Sequence, residues 1–121
     1  MSKVKLARAE YNGQVICEEV ELANNWYRRL MGLMFRKTMA ESHGLLLDPC
    51  NSIHTFNMKF NIDTVYLDKE NIIVSLDKDI PKGKVRPIVK KARKVLEINS
   101  GLIEKYQLQL GEKVSIIEKN G

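Results

Sequence analysis

The apolar positions fall into short runs separated by turn residues, and each run predicts an element. Val4 to Tyr11 and Gln14 to Leu22 are rich in strand formers and flank Asn12-Gly13. An Asn-Gly pair takes the positive φ angles of a two-residue turn at little cost, so these runs predict a hairpin. Asn24 then offers a cap for a helix of about three turns, with Trp26, Leu30, Leu33 and Met34 on one stripe and Arg28, Arg29 and Arg36 on other faces. Gly32 lies inside that helix, where glycine is unfavourable, and its presence suggests close packing.

Gly44-Leu45-Leu46-Leu47 reads as a short buried strand ending at Asp48-Pro49. Ile62 to Leu67 and Ile72 to Leu76 are further strand runs, joined by the turn-like Asp68-Lys69-Glu70-Asn71. Val95 to Ile98 predicts another, with Leu96 and Ile98 on one face. Ser100 can cap a short helix carrying Leu102, Ile103 and Tyr106, and Lys113 to Ile117 predicts a last strand. Strands joined more often by turns than by helices predict a mainly β fold. The expected form is a single domain over 1–121, mostly antiparallel, with two short helices.

Within 121 residues there is no apolar run near the ~20 that a membrane helix needs and no secretory h-region at the start. The chain therefore reads as cytoplasmic, with no membrane partner. Cys17 and Cys50 are its only cysteines and are expected as free thiols. The net charge of +5 is local: residues 82–94 hold seven basic side chains and no acid, leaving 13 basic against 15 acidic elsewhere. Such a segment suits solvation, a small anion or a nucleic-acid backbone. It contains no aromatic to stack on bases, which weakens the nucleic-acid reading.

The densest chemistry is CNSIHTFNMKFNIDTVYLD, residues 50–68. Read as extended, His54, Phe56, Met58, Phe60 and Ile62 share one face, and Thr55, Asn57, Lys59, Asn61 and Asp63 the other. The apolar side changes phase before Val65, which predicts a bulge or bend near Asn61 to Thr64. His54 is either a satisfied, partly buried imidazole or an acid/base or ligand group at a pocket mouth. Asp63 is either an acceptor for turn N–H groups or a group facing a ligand. A nucleophilic Cys50 paired with His54 is weakly supported, because spacing along the chain does not establish such a pair. A metal site from His43, Cys50, His54 and Asp48 or Asp63 is weakly supported, because no C-x-x-C or H-x-x-x-H pair exists.

Four segments together, RRLMGLMFR (28–36), GLLL (44–47), IHTFNMKFNIDTVYLD (53–68) and KARKVLEINSGLIEKYQLQLGEKVSI (91–116), resemble the domain-of-unknown-function family numbered 192. The resemblance implies a small, single-domain, β-rich fold, an antiparallel β-sandwich or barrel-like arrangement with short helices. It carries no activity onto any residue, but it directs attention to His54, Thr55, Met58 and Asp63, and to Leu33, Met34, Phe35 and Arg36. Asn61 stands where the family often has Pro, Met31 replaces the Arg of a common Arg-Gly pair, and the loop before Arg86 lacks a Trp often found there.

The expectation from these readings is a binding module for a small anionic ligand. Its pocket would be lined by His54, Thr55, Asn57 and Asp63 from a bent 53–63 strand, by Lys84 and Arg86 from the 82–86 loop, and by Arg36. No cofactor and no metal are expected. One alternative is an enzyme with His54 as acid/base oriented by Asp63. Another is a nucleic-acid-associated or interaction protein using the basic 82–94 surface.

Overall fold

The computed structural model describes residues 4–34 and 36–119, with the Trp26 and Tyr27 side chains also outside the described set. Phe35 lies outside the described residues.

Lys5–Tyr11 (β1) and Gln14–Ala23 (β2) form the expected hairpin, with Asn12 at φ 51° and Gly13 at φ 76°. Trp26–Met31 (α1) follows, six residues long and so shorter than expected. Its cap is Asn25, whose side chain accepts the Arg28 N–H at 2.8 Å, one residue later than the sequence suggested. Leu30 faces solvent at 54% exposure, contrary to the predicted stripe, whereas Leu33 is buried. Gly32 ends the helix at φ 46°, a conformation costly for any residue with a Cβ. A Cβ there would meet nothing nearer than 3.8 Å, so backbone geometry, and not tight packing, accounts for this glycine.

The remaining strands are His43–Leu47 (β3), Ile53–His54 (β4), Ile62–Leu67 (β5), Ile73–Ile80 (β6), Val85–Arg86 (β7), Lys94–Asn99 (β8) and Ser115–Glu118 (β9), with Leu102–Lys105 (α2) before the last. Seven strands form one sheet in the order β6-β5-β8-β3-β2-β1-β9, and β4 pairs β7 in a separate ribbon. All pairings are antiparallel except β2 with β3. A parallel pair needs a crossover, and the α1 segment supplies it. Ile72 bridges to Lys113, and Ile73 N–H donates to Glu112 C=O at 2.8 Å. These contacts bring the two ends of the strand order together at one corner and curl the sheet towards a barrel.

The sheet is buried on both faces at its centre. Inside the curl, Ala7, Val20, Leu46, Val65 and Leu96 pack with Ile103 of α2. On the outer face, Leu45, Leu47, Tyr66 and Val95 are covered by Leu33 after α1 and by Met58 from the β4–β5 connection. Every residue of β5 is buried for this reason.

That double burial corrects the reading of residues 53–63 as one bent strand. The chain leaves β4 at His54, turns through Asn57 at φ 61°, and enters β5 only at Ile62. β5 is in unbroken register with β8 from Ile62 to Leu67. The irregularity sits on β6, where three steps from Ile80 to Asp77 face two from Ile62 to Thr64, with Asp79 at φ 51°. The apparent change of phase marks a strand covered on two sides, not a bulge within it.

Candidate functional site

Two clefts flank the turn Met31–Met34 that follows α1. The larger, about 250 Å³, is walled by Leu22, Met31, Met34 and Leu45 and carries Arg28, Arg36 and Glu21. The Arg36 guanidinium is held in two places by the Glu21 carboxylate, at 2.7 and 3.1 Å. That hydrogen bond is the main reason the Glu21 carboxyl sits below the usual range.

The smaller cleft, about 60 Å³, lies on the other side of the turn. Leu47, Cys50, His54 and Met58 line it together with Met31 and Met34 from the turn. Its floor is Glu97 of β8, which is 4% exposed. In the sequence Val95-Leu96-Glu97-Ile98, Leu96 and Ile98 turn to the inner core and send Glu97 to the outer face. There the α1 turn covers it, with its Oε1 3.9 Å from the point a Gly32 Cβ would occupy. Burial pushes the Glu97 carboxyl up to about 8, with Arg36 pulling weakly in the opposite direction. While protonated it can donate a hydrogen bond. Sequence reasoning passed over Glu97; a lone acid in the middle of an apolar strand was the available signal.

The expected site residues are dispersed. His54 lines the smaller cleft, with its ring 5.2 Å from that of Phe56 and its buried Nδ1 without a partner. Asp63 does not meet it: Oδ1 accepts the Asp79 N–H at 2.8 Å, and Oδ2 accepts those of Gly101 and Ile103 at 3.0 and 2.9 Å. Both oxygens are thereby committed to backbone, and the expected His54–Asp63 acid/base pair is not formed. Thr55 is also committed, donating to Pro81 C=O at 2.7 Å and accepting the Lys84 N–H at 2.8 Å. This clamp fixes the 81–84 loop beside β4.

Arg86 pairs with Asp77 and Ser75 and lies 5.5 Å above the Tyr66 ring. Lys84 and Asn57 are exposed, Asn57 beside Met58, Lys59 and Lys82 in an open depression. Of the seven residues expected to share one pocket, Arg36 alone lines the larger cleft and His54 alone the smaller. The 82–86 loop walls neither.

Burial raises the Cys50 thiol above its ordinary value, which disfavours a thiolate nucleophile, and its Sγ donates to Ser52 C=O at 2.9 Å. His43 pairs with Glu19 at 3.2 Å and Asp48 with Arg93 at 3.7 Å, both away from Cys50 and His54 in their bonding. Among the described residues no three of His, Cys, Asp and Glu stand together as a metal set. No helix of the described residues is long and apolar enough to cross a membrane.

The sequence pattern of family 192 of the domains of unknown function (uncharacterized ACR) matches residues 7–116. The chain belongs to this family. No curated protein matches it. A crystal structure from Sinorhizobium meliloti 1021, that of a proposed transcription regulator, is similar with a TM-score of 0.79 at 20% identity, over 94% of each chain. A protein of unknown function from Novosphingobium aromaticivorans is similar with a TM-score of 0.78 at 20% identity, over 91% of this chain and 83% of that one. At such identity the likeness shows a common fold.

Proposed function

We propose that this family 192 protein is a binding module for a small anionic molecule, taken up in the larger cleft beside α1. The observation that supports it is the convergence of Arg28 and Arg36 on a cleft of about 250 Å³ whose other walls are largely apolar. A volume of this order approaches the ~300 Å³ at which small-molecule sites begin. The Arg28 and Arg36 guanidinium groups and the Glu21 carboxylate are the charged groups of its lining, a polar set suited to a negative ligand. Glu21 holds the Arg36 fork in place, so little side-chain freedom is lost when an anion arrives.

Isothermal titration with phosphate, malonate and a nucleoside monophosphate tests this reading. Arg36→Gln and Arg28→Gln should each weaken the binding of whichever probe is taken up at least tenfold, with the circular dichroism spectrum unchanged. Equal affinity in both variants, or no heat from any of the three probes, would sink it.

A second reading, nucleic-acid association, draws on a feature the sequence did not reveal. β4–β7 pairing sets His54 opposite Val85, and Phe56, 46% exposed, stacks on the His54 ring beside the lysine-bearing loop. Aromatic faces among cations are what single strands stack on. Binding of a fluorescent oligo(dT) that falls steeply with salt and is lost in Phe56→Ala would favour this reading; salt-indifferent binding would remove it.

A further inference from the structure

We propose that the smaller cleft is a soft-metal site for a monovalent copper ion, with Cys50, His54 and Met58 as its donors and the thioethers of Met31 and Met34 within the same walls. Three of the chain's five methionines, one of its two cysteines and one of its two histidines line this one cleft. Thiolate and thioether sulfur select Cu(I) over the harder divalent ions, and imidazole is compatible with it. A volume of about 60 Å³ admits an ion but not an organic metabolite of ordinary size.

Methionine often does no more than fill gaps in a core, and Met58, 4% exposed within the outer apolar cluster, could be read that way. Gap-filling does not explain the company it keeps. Met31 and Met34 are only partly buried, so they are not core plugs. The Nδ1 of His54 is buried with no hydrogen-bond partner, an arrangement that costs free energy unless something is bound there. The nine-tenths-buried Glu97 lines the same cleft. One imidazole nitrogen without a partner among the described residues and four sulfur atoms around one small hollow form a donor set awaiting a ligand.

On uptake the Cys50 thiol exchanges its bond to Ser52 C=O for a bond to the metal and releases its proton to solvent; no electron is transferred. Of the proposed donors only Cys50 and His54 are of the kinds zinc takes, which argues against zinc in the same place.

The experiment is anaerobic competition of the reduced, full-length protein with the Cu(I)–bicinchoninate chromophore, repeated with Ag(I) as a redox-inert substitute. One equivalent of Cu(I) should leave the chromophore per chain. Met58→Leu, which keeps volume and therefore the fold, should weaken binding at least tenfold, as should Cys50→Ser and His54→Phe. Cys17→Ser and Arg36→Gln should leave it unchanged, the second separating this site from the anion cleft. Copper-edge absorption should show sulfur and nitrogen neighbours. An unbleached chromophore, wild-type affinity in Met58→Leu, loss confined to Cys17→Ser, or a copper shell without sulfur would each overturn the proposal.

Discussion

Asp63 of β5 caps the first turn of α2: its Oδ2 accepts the backbone N–H of Ile103 at 2.9 Å, forty residues on, while Oδ1 holds Asp79 of β6. One buried carboxylate thus ties β6 and the start of α2 to β5. Asp63→Ala leaves three backbone N–H groups without their acceptor. It should cost about 3–5 kcal/mol, and Asp63→Asn, which keeps an acceptor oxygen, about 1–2 kcal/mol. Urea denaturation followed by tryptophan fluorescence measures both, and a loss under ~1 kcal/mol for Asp63→Ala would contradict the role.

Stability should fall as pH rises, because of Glu97. Its carboxyl has an ordinary value of 4.5 and is pushed up to about 8 in the folded chain. Between those values the folded state holds a proton that the unfolded chain has released. Each added pH unit in that window therefore removes up to ~1.4 kcal/mol. Glu97→Gln, neutral throughout, should be no less stable than wild type at pH 9 and should show a flatter profile. Urea midpoints at pH 5, 7 and 9 for both proteins decide it; parallel profiles would contradict it.

Gly44 of β3 has no room for a side chain. A Cβ would stand 3.1 Å from the Glu97 carbonyl oxygen, 3.3 Å from Ile98 Cγ2 and 3.4 Å from Cys17 Sγ. Gly44→Ala should cost about 1–3 kcal/mol by pushing β3 against β8. Gly32→Ala should also destabilise, by about 1–2 kcal/mol, for a different reason: its φ of 46° disfavours any Cβ although the space is open.

Neither thiol should react readily. Burial pushes Cys17 up to about 12 and raises Cys50 as well. Iodoacetamide at pH 7 should modify Cys50 far more slowly than free cysteine, and Cys17 only after denaturant is added. Mass spectrometry of a timed reaction gives both rates. Rapid alkylation of Cys50 in the native protein would revive the nucleophile reading.

Local signals settled much of the scaffold. Asn12-Gly13 specified the hairpin because few other pairs take two positive φ angles cheaply, and β1 and β2 formed around it. Leu96 and Ile98 were assigned to one face and share the inner core. The family 192 motifs led to membership, upheld by the match over residues 7–116, and to a β-rich fold, upheld by the strands of the structure. The helix α1 was placed but not measured, since its end depends on the Gly32 backbone and not on the apolar stripe.

The tertiary structure decided which groups meet. Alternation along a strand tells which residues share a face but is silent on what covers that face. Glu97 reads from sequence as an outward carboxylate; the Met31–Met34 turn, delivered by the crossover between β2 and β3, seals it in a hollow with His54. Asp63 and His54, nine residues apart, were expected together, and the turn at Asn57 sent them to different sheets. Residue order fixes local backbone preference through a few neighbours at a time. Burial, charge state and company are set by segments tens of residues away, and for this protein those are what define a site.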